Sequence, residues 1–158
     1  MATGLKPRDF HWIIRGKLAV SQRIGGCGEQ HRRIRREEEI TWVVEEGFSG
    51  ILSLLEGNQN LSAYRVAGLE ALHSPSPTPL TPEYAERICS HLKKALEVKG
   101  SMILVHKDIL DDAMTGLLGG YLVRSGLLDD PIRAMAVIQE IVARPLGPLG
   151  RSLIPASG

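Results

Sequence analysis

The sequence predicts an α/β fold: a central, mostly parallel sheet flanked by helices. Three observations carry this prediction. Short apolar runs alternate with amphipathic stretches, the pattern of repeated β-α units. One apolar run, Ser101 to His106, leads through a short polar loop into an apolar helix, Asp112 to Arg124. A proline-rich stretch, residues 74–82, is neither helix nor central strand and opens directly onto a further helix.

From the N-terminus, Phe10 to Val20 reads as two short strands broken at Gly16. Residues 21–36 are polar, basic and glycine-rich, which predicts a loop. Glu38 to Glu46 is expected to be helical, with Ile40, Val43 and Val44 on one face and Gly47 as the stop. Gly50 to Leu55 is a short buried strand followed by a Gly-Asn loop, and Leu69 to His73 is a second one. Thr81 is placed to cap a helix with Pro82 in its first turn. Tyr84, Ile88, Leu92, Ala95 and Leu96 line the buried side of that helix, and Gly100 ends it. After the strand at 101–106 and the helix to Arg124, Asp129 or Asp130 with Pro131 opens a last helix to about Val142. The tail over residues 148–158 is expected to be irregular. The reading is of a single domain over residues 1–158, with its core at about 8–147.

Composition excludes more than it assigns. The chain has 158 residues, 43% hydrophobic and 23% charged, enough for a real core in a soluble protein. A net charge of +1 gives no global drive toward nucleic acid or a membrane surface, and 4% aromatics argues against base stacking. No run reaches the ~20 apolar residues that span a bilayer. The default expectation is the cytoplasm. Two cysteines make no disulfide framework. Cys89 sits in a helical pattern as a core residue, and Cys27 lies in a Gly-rich loop without a visible activating base.

Several landmarks then share one order and spacing. Asp9-Phe10, Trp12, Gly16 and Leu18-Ala19 form an opening strand pair. Ile51 to Glu56 is a strand ending Ser-Leu-Leu-Glu. Leu72 to Pro82 is a Pro-rich run into a helix, Val105-His106 ends a strand, Tyr121-Leu122-Val123 ends a helix, and Arg144-Pro145 follows late. In this order the chain resembles the compact dual-specificity phosphatases of the protein tyrosine phosphatase superfamily, over about residues 8–147.

That resemblance implies a phosphate-binding loop after His106, with the pattern His-Cys, five residues, Arg, then Ser or Thr. This chain departs from it at every reactive position. Lys107 stands for the nucleophilic Cys, Ala113 for the phosphate-gripping Arg and Met114 for the hydroxyl. Ser76 stands where the general acid Asp would be. A cysteine phosphatase needs an activated thiolate, an Arg fork on the phosphate and an acid for the leaving oxygen. Losses within one such unit do not rescue each other. The remnant loop, His106, Lys107, Asp108, Ile109, Leu110, Asp111, Asp112 and Ala113, also carries three carboxylates where a dianion would bind.

The resemblance therefore implies a pseudophosphatase that works through an unidentified protein partner or a second copy of itself, without a cofactor. Two alternatives stand beside it. Lys107 and His106 with Asp108, Asp111 and Asp112 would form a repurposed enzyme pocket, with Mg²⁺ or Ca²⁺ on the carboxylates or Lys107 as a base or Schiff-base amine. Loop amides alone would make a non-hydrolysing phospho-ligand binder. The plainer reading of the three Asp is favourable interaction with the helix dipole and a salt bridge to Lys107. In the family the His before the nucleophile is structural, so His106 is expected to support the loop. His31 to Arg36 followed by Glu37 to Glu39 reads as a solvated loop and helix start. His73 beside Ser74 and Ser76 lacks the third group a Ser–His pair needs.

Overall fold

In the computed structural model, the structure describes residues 4–26 and 32–156. The chain divides into two compact units, Met1–Pro75 with Lys99–Leu110, and Ser76–Val98 with Asp111–Gly158.

The first unit holds the whole sheet. Strands β1 (His11–Ile14) and β2 (Leu18–Ser21) form an antiparallel pair turned at Gly16, whose φ is +77°. Strands β3 (Gly50–Ser53), β4 (Glu70–His73) and β5 (Ile103–His106) complete the order β1-β2-β5-β3-β4, and all pairings after the first are parallel. Helix α1 (Arg33–Glu46) and the short α2 (Leu61–Val66) pack on one sheet face. There Ile40, Val43, Leu61 and Tyr64 meet Ala19, Ile51 and Leu104. The alternate positions, Leu18, Val20, Leu52, Ile103 and Val105, are buried as well, so the central strands are apolar on both faces, as parallel strands are. Both phenylalanines and both tryptophans gather in one cluster, with Phe10 edge-on to Trp12, Trp42 and Phe48, and Trp12 stacked on Phe48 at 5.3 Å.

The second unit is helical. Helix α3 (Pro82–Leu96) begins as expected, with the Thr81 hydroxyl accepting from the Tyr84 amide. Its end comes at Leu96, short of Gly100. Helix α4 (Asp112–Arg124) is buried from Ala113 to Val123 and contacts α3, α5 (Pro131–Val142) and α6 (Pro148–Ser152). Asp130 caps α5 through the Ile132 amide.

Three expectations are corrected. Helix α1 starts at Arg33, inside the stretch assigned to a loop, because Arg33–Glu37 and Arg35–Glu39 are i,i+4 pairs that hold its first turns. Val44 is 41% exposed and is not on the buried face, which is built from Glu39, Ile40 and Val43. The tail is not irregular at 148–152: α6 forms there because the Asp112 carboxylate accepts from the Gly147 and Gly150 amides at 2.7 and 2.8 Å. Cys27 and His31 lie outside the described residues.

Candidate functional site

The carboxyl ends of parallel strands are where α/β proteins place their chemistry. In the first unit, Ser21, His106 and Ser53 stand side by side in register at that end of β2, β5 and β3. All three are fully buried. The Tyr64 hydroxyl lies 3.1 Å from His106 Nε2, and His106 Nδ1 lies 3.1 Å from the Lys107 carbonyl. A carbonyl only accepts, so Nδ1 carries the proton and donates, and Nε2 accepts from Tyr64. His106 is thus a neutral, two-ended strut beneath the start of the loop.

Burial pushes the His106 imidazole down to about 4 and outweighs the Lys107 carbonyl bond, which raises it; Arg23 lowers it further and Asp108 raises it. Burial likewise pushes the Tyr64 phenol well above its ordinary value. A folded-state pKa below the usual 6.5 means the unfolded chain takes up the proton first. The stability tied to neutral His106 is therefore complete above about pH 6.5 and is lost as pH falls toward 4. The effect is on the order of 3 kcal/mol. Urea titrations at pH 7, 5.5 and 4.5 are expected to show this acid loss in the parent and a shallower one in His106→Asn. Equal slopes for the two proteins would rule the explanation out.

After His106 the loop turns toward solvent. Lys107 is partly buried, Asp108 is exposed, Ile109 is 49% exposed and Leu110 is buried. Asp108 is held by Arg23 rather than by Lys107: Nη1 sits 3.5 Å from its carboxylate, and the Arg23 amide donates to its carbonyl. The carboxylate is about half exposed, so this pair positions the loop more than it stabilises the protein.

The second segment of the second unit begins at Asp111. Its carboxylate accepts from the Met114 amide at 2.9 Å and its carbonyl accepts from the Thr115 amide and hydroxyl, so Asp111 is the N-cap of α4. Asp112 spends both carboxylate oxygens on α6. Ala113 and Met114 are buried in the packed length of α4. Ser76 is 4% exposed. Among the described residues, no three His, Cys, Asp or Glu side chains converge as a metal site.

His73 Nε2 donates to the Leu55 carbonyl at 2.8 Å, which leaves that nitrogen unable to serve Ser74 or Ser76 as a base. Cys89 lies in α3 with its thiol against the Leu117 carbonyl, and burial pushes it up to about 11, which makes it inert. Sequence reasoning missed Tyr64, Asn60, Glu39 and Arg23 as partners of the loop and strand ends. The one signal for any of them was Asn60, a residue type that tolerates the left-handed φ of +70° found before α2.

Neither a protein-family model nor a curated protein matches the chain. Solved structures do. The chain is similar to kinase associated phosphatase carrying a substitution of its catalytic-site cysteine by serine, with a TM-score of 0.70 and 15% identity over 93% of this chain and 91% of that one. It is similar to Tk-PTP in its active form, with a TM-score of 0.68 and 17% identity over 92% of each chain. It is also similar to a putative phosphatase from Shewanella putrefaciens, with a TM-score of 0.62 and 14% identity over 94% and 89%. The fold is that of the compact dual-specificity and protein tyrosine phosphatases. No helix among the described residues is long and apolar enough to cross a membrane.

Proposed function

We propose that this phosphatase-fold chain is catalytically inactive and acts in the cytoplasm through protein–protein contacts, as a scaffold or regulator, without a cofactor. The carrying observation is the capping of α4. The first amides of that helix are the natural receptors for an anion, and Asp111 already bonds the Met114 amide. A phosphate arriving there meets a fixed negative charge in place of a free Met114 amide.

The remaining substitutions point the same way. An amine at Lys107 offers no thiolate, Ala113 offers no fork, and Ser76 is no acid near neutral pH. Asp111 and Asp112 are committed to backbone amides, so they are poorly placed to ligate Mg²⁺ or Ca²⁺. Ile109, half exposed in the loop, offers an apolar contact in place of chemistry.

Incubation with an aryl phosphate tests this directly. Hydrolysis is expected to match buffer, in the parent and in Lys107→Ala alike. Turnover by the parent that disappears in Lys107→Ala would overturn the reading and establish a repurposed enzyme instead.

A further inference from the structure

The basic start of α1 plays no part in the loop after His106. Arg32 and Arg33 are exposed there, and Arg33 keeps 81% of its side-chain surface in water. Ile34, next in the chain, is 71% exposed, and Leu5 is 42% exposed. Large apolar side chains scattered singly over a surface need no explanation. These two line one open groove of about 500 Å³, together with Arg32, Arg33, Arg35 and Glu38.

Both walls of the groove are held in place. Ile34 stands in the first turn of α1. Leu5 is tied to the same helix, its amide donating to the Glu38 carbonyl at 3.0 Å. The chain lies so close to α1 at Gly4 that a Cβ there would come within 3.3 Å of the Trp42 Cα.

The groove is positive. Among the described residues that line it, Glu38 carries the one carboxylate against three guanidinium groups. Arg35 is spent on the buried Glu39 at 2.6 Å. Arg33 pairs with Glu37 at 3.2 Å, but both side chains are more than half exposed, so water screens the pair and an incoming carboxylate can replace it. Helix α1 has no side-chain cap and no acid in its first turn, so its dipole adds to the same positive end. The positive stretch is short, because Glu37, Glu38, Glu45 and Glu46 follow along the helix. A bilayer or a nucleic-acid strand would meet those acids as well; a short acidic segment can engage the basic end alone.

We propose that this groove docks an acidic segment of a partner protein, with an apolar side chain between Leu5 and Ile34 and flanking carboxylates on Arg32 and Arg33. This rests on the reading that the chain works through protein contacts, and it gives the partner's chemistry.

Fluorescence anisotropy with a short labelled peptide of repeated Glu-Glu-Leu tests it. Binding at about 100 µM or tighter is expected at low ionic strength, weakening as salt is added. Arg32→Ser with Arg33→Ser is expected to weaken it at least about tenfold. Ile34→Ser, or Ser in place of Leu in the peptide, is expected to weaken it as well. Arg32→Lys with Arg33→Lys keeps the charge and is expected to keep most of the binding. Lys93→Ser with Lys94→Ser, an exposed basic pair on α3, is expected to bind like the parent. No binding, or binding that the serine substitutions at Arg32, Arg33 and Ile34 leave unchanged, would overturn the groove and leave the inactive reading standing. That reading fails separately, by the aryl phosphate turnover described above. Preference for phosphatidylserine vesicles or single-stranded RNA over the peptide would overturn the acidic segment as the occupant.

Discussion

Gly116→Ala is expected to lower the melting temperature by roughly 10 °C, from a loss of about 3 kcal/mol. Intrinsic propensity predicts the opposite sign, since alanine is favoured over glycine inside a helix by about 1 kcal/mol. The crossing of α4 and α6 decides the matter. A Cβ on Gly116 would lie 2.1 Å from the Gly150 carbonyl oxygen and 2.5 Å from its Cα, so backbone would have to move. That movement also strains the Asp112 carboxylate, which holds the Gly147 and Gly150 amides in the same crossing. Gly119→Ala is the internal comparison. Its Cβ would meet the tips of Ile154 and Ile138 at 2.9 and 3.1 Å, side chains that can swing aside, so its loss should be less than half as large. Thermal melts of the two variants give the order directly. A Gly116→Ala protein as stable as the parent would mean that α6 does not sit against α4.

The same crossing explains where sequence reasoning reached and where it stopped. The strand at 103–106, the helix at 112–124, the Thr81 cap and the Asp130 cap were legible because each depends on neighbours within a few residues. Helix α6 was not, because its cap comes from Asp112, 35 residues before Gly147. Helix α2 is six residues long, too short for a periodicity to declare itself. The Arg-rich start of α1 looked like a solvated loop. What makes it a partly buried helix is Glu39 at 0% exposure and an amide from Gly25, neither visible from charge alone. The candidate site divides in the same way. Lys107, Ala113, Met114 and Ser76 were singled out only through the resemblance to a family pattern. The partners that hold His106 and Asp108, namely Tyr64 and Arg23, lie 42 and 85 residues away along the chain and carry no local motif.

Installing the groups that the resemblance calls for is expected to leave aryl phosphate turnover at background. The triple variant Lys107→Cys, Ala113→Arg, Ser76→Asp supplies a thiol, a guanidinium and a carboxyl at the three positions the resemblance singles out, and none of them is expected to raise turnover. The reasons are local to each position. Ala113 is 6% exposed in a helix buried along its length, so a long cationic side chain there displaces packing before it reaches a ligand. Ser76 is 4% exposed, and an acid placed in such a position loses the solvation of its ionised form. Above all, Asp111 still caps the Met114 amide, so the helix start that should lower the thiol's pKa and hold the phosphate keeps its negative cap. On the proposed reading, the obstacle is the sign of the charge at the start of α4 as much as the absent nucleophile. This separates two kinds of decay. If the triple variant turns over substrate, the loss was confined to the reactive groups and the capping argument is wrong. If it stays silent but gains tungstate binding when Asp108→Ser and Asp111→Ser are added, the loop was closed to anions by its carboxylates. The fold then retains a phosphatase loop that Asp111 holds shut, and a neutral cap is the change that reopens it.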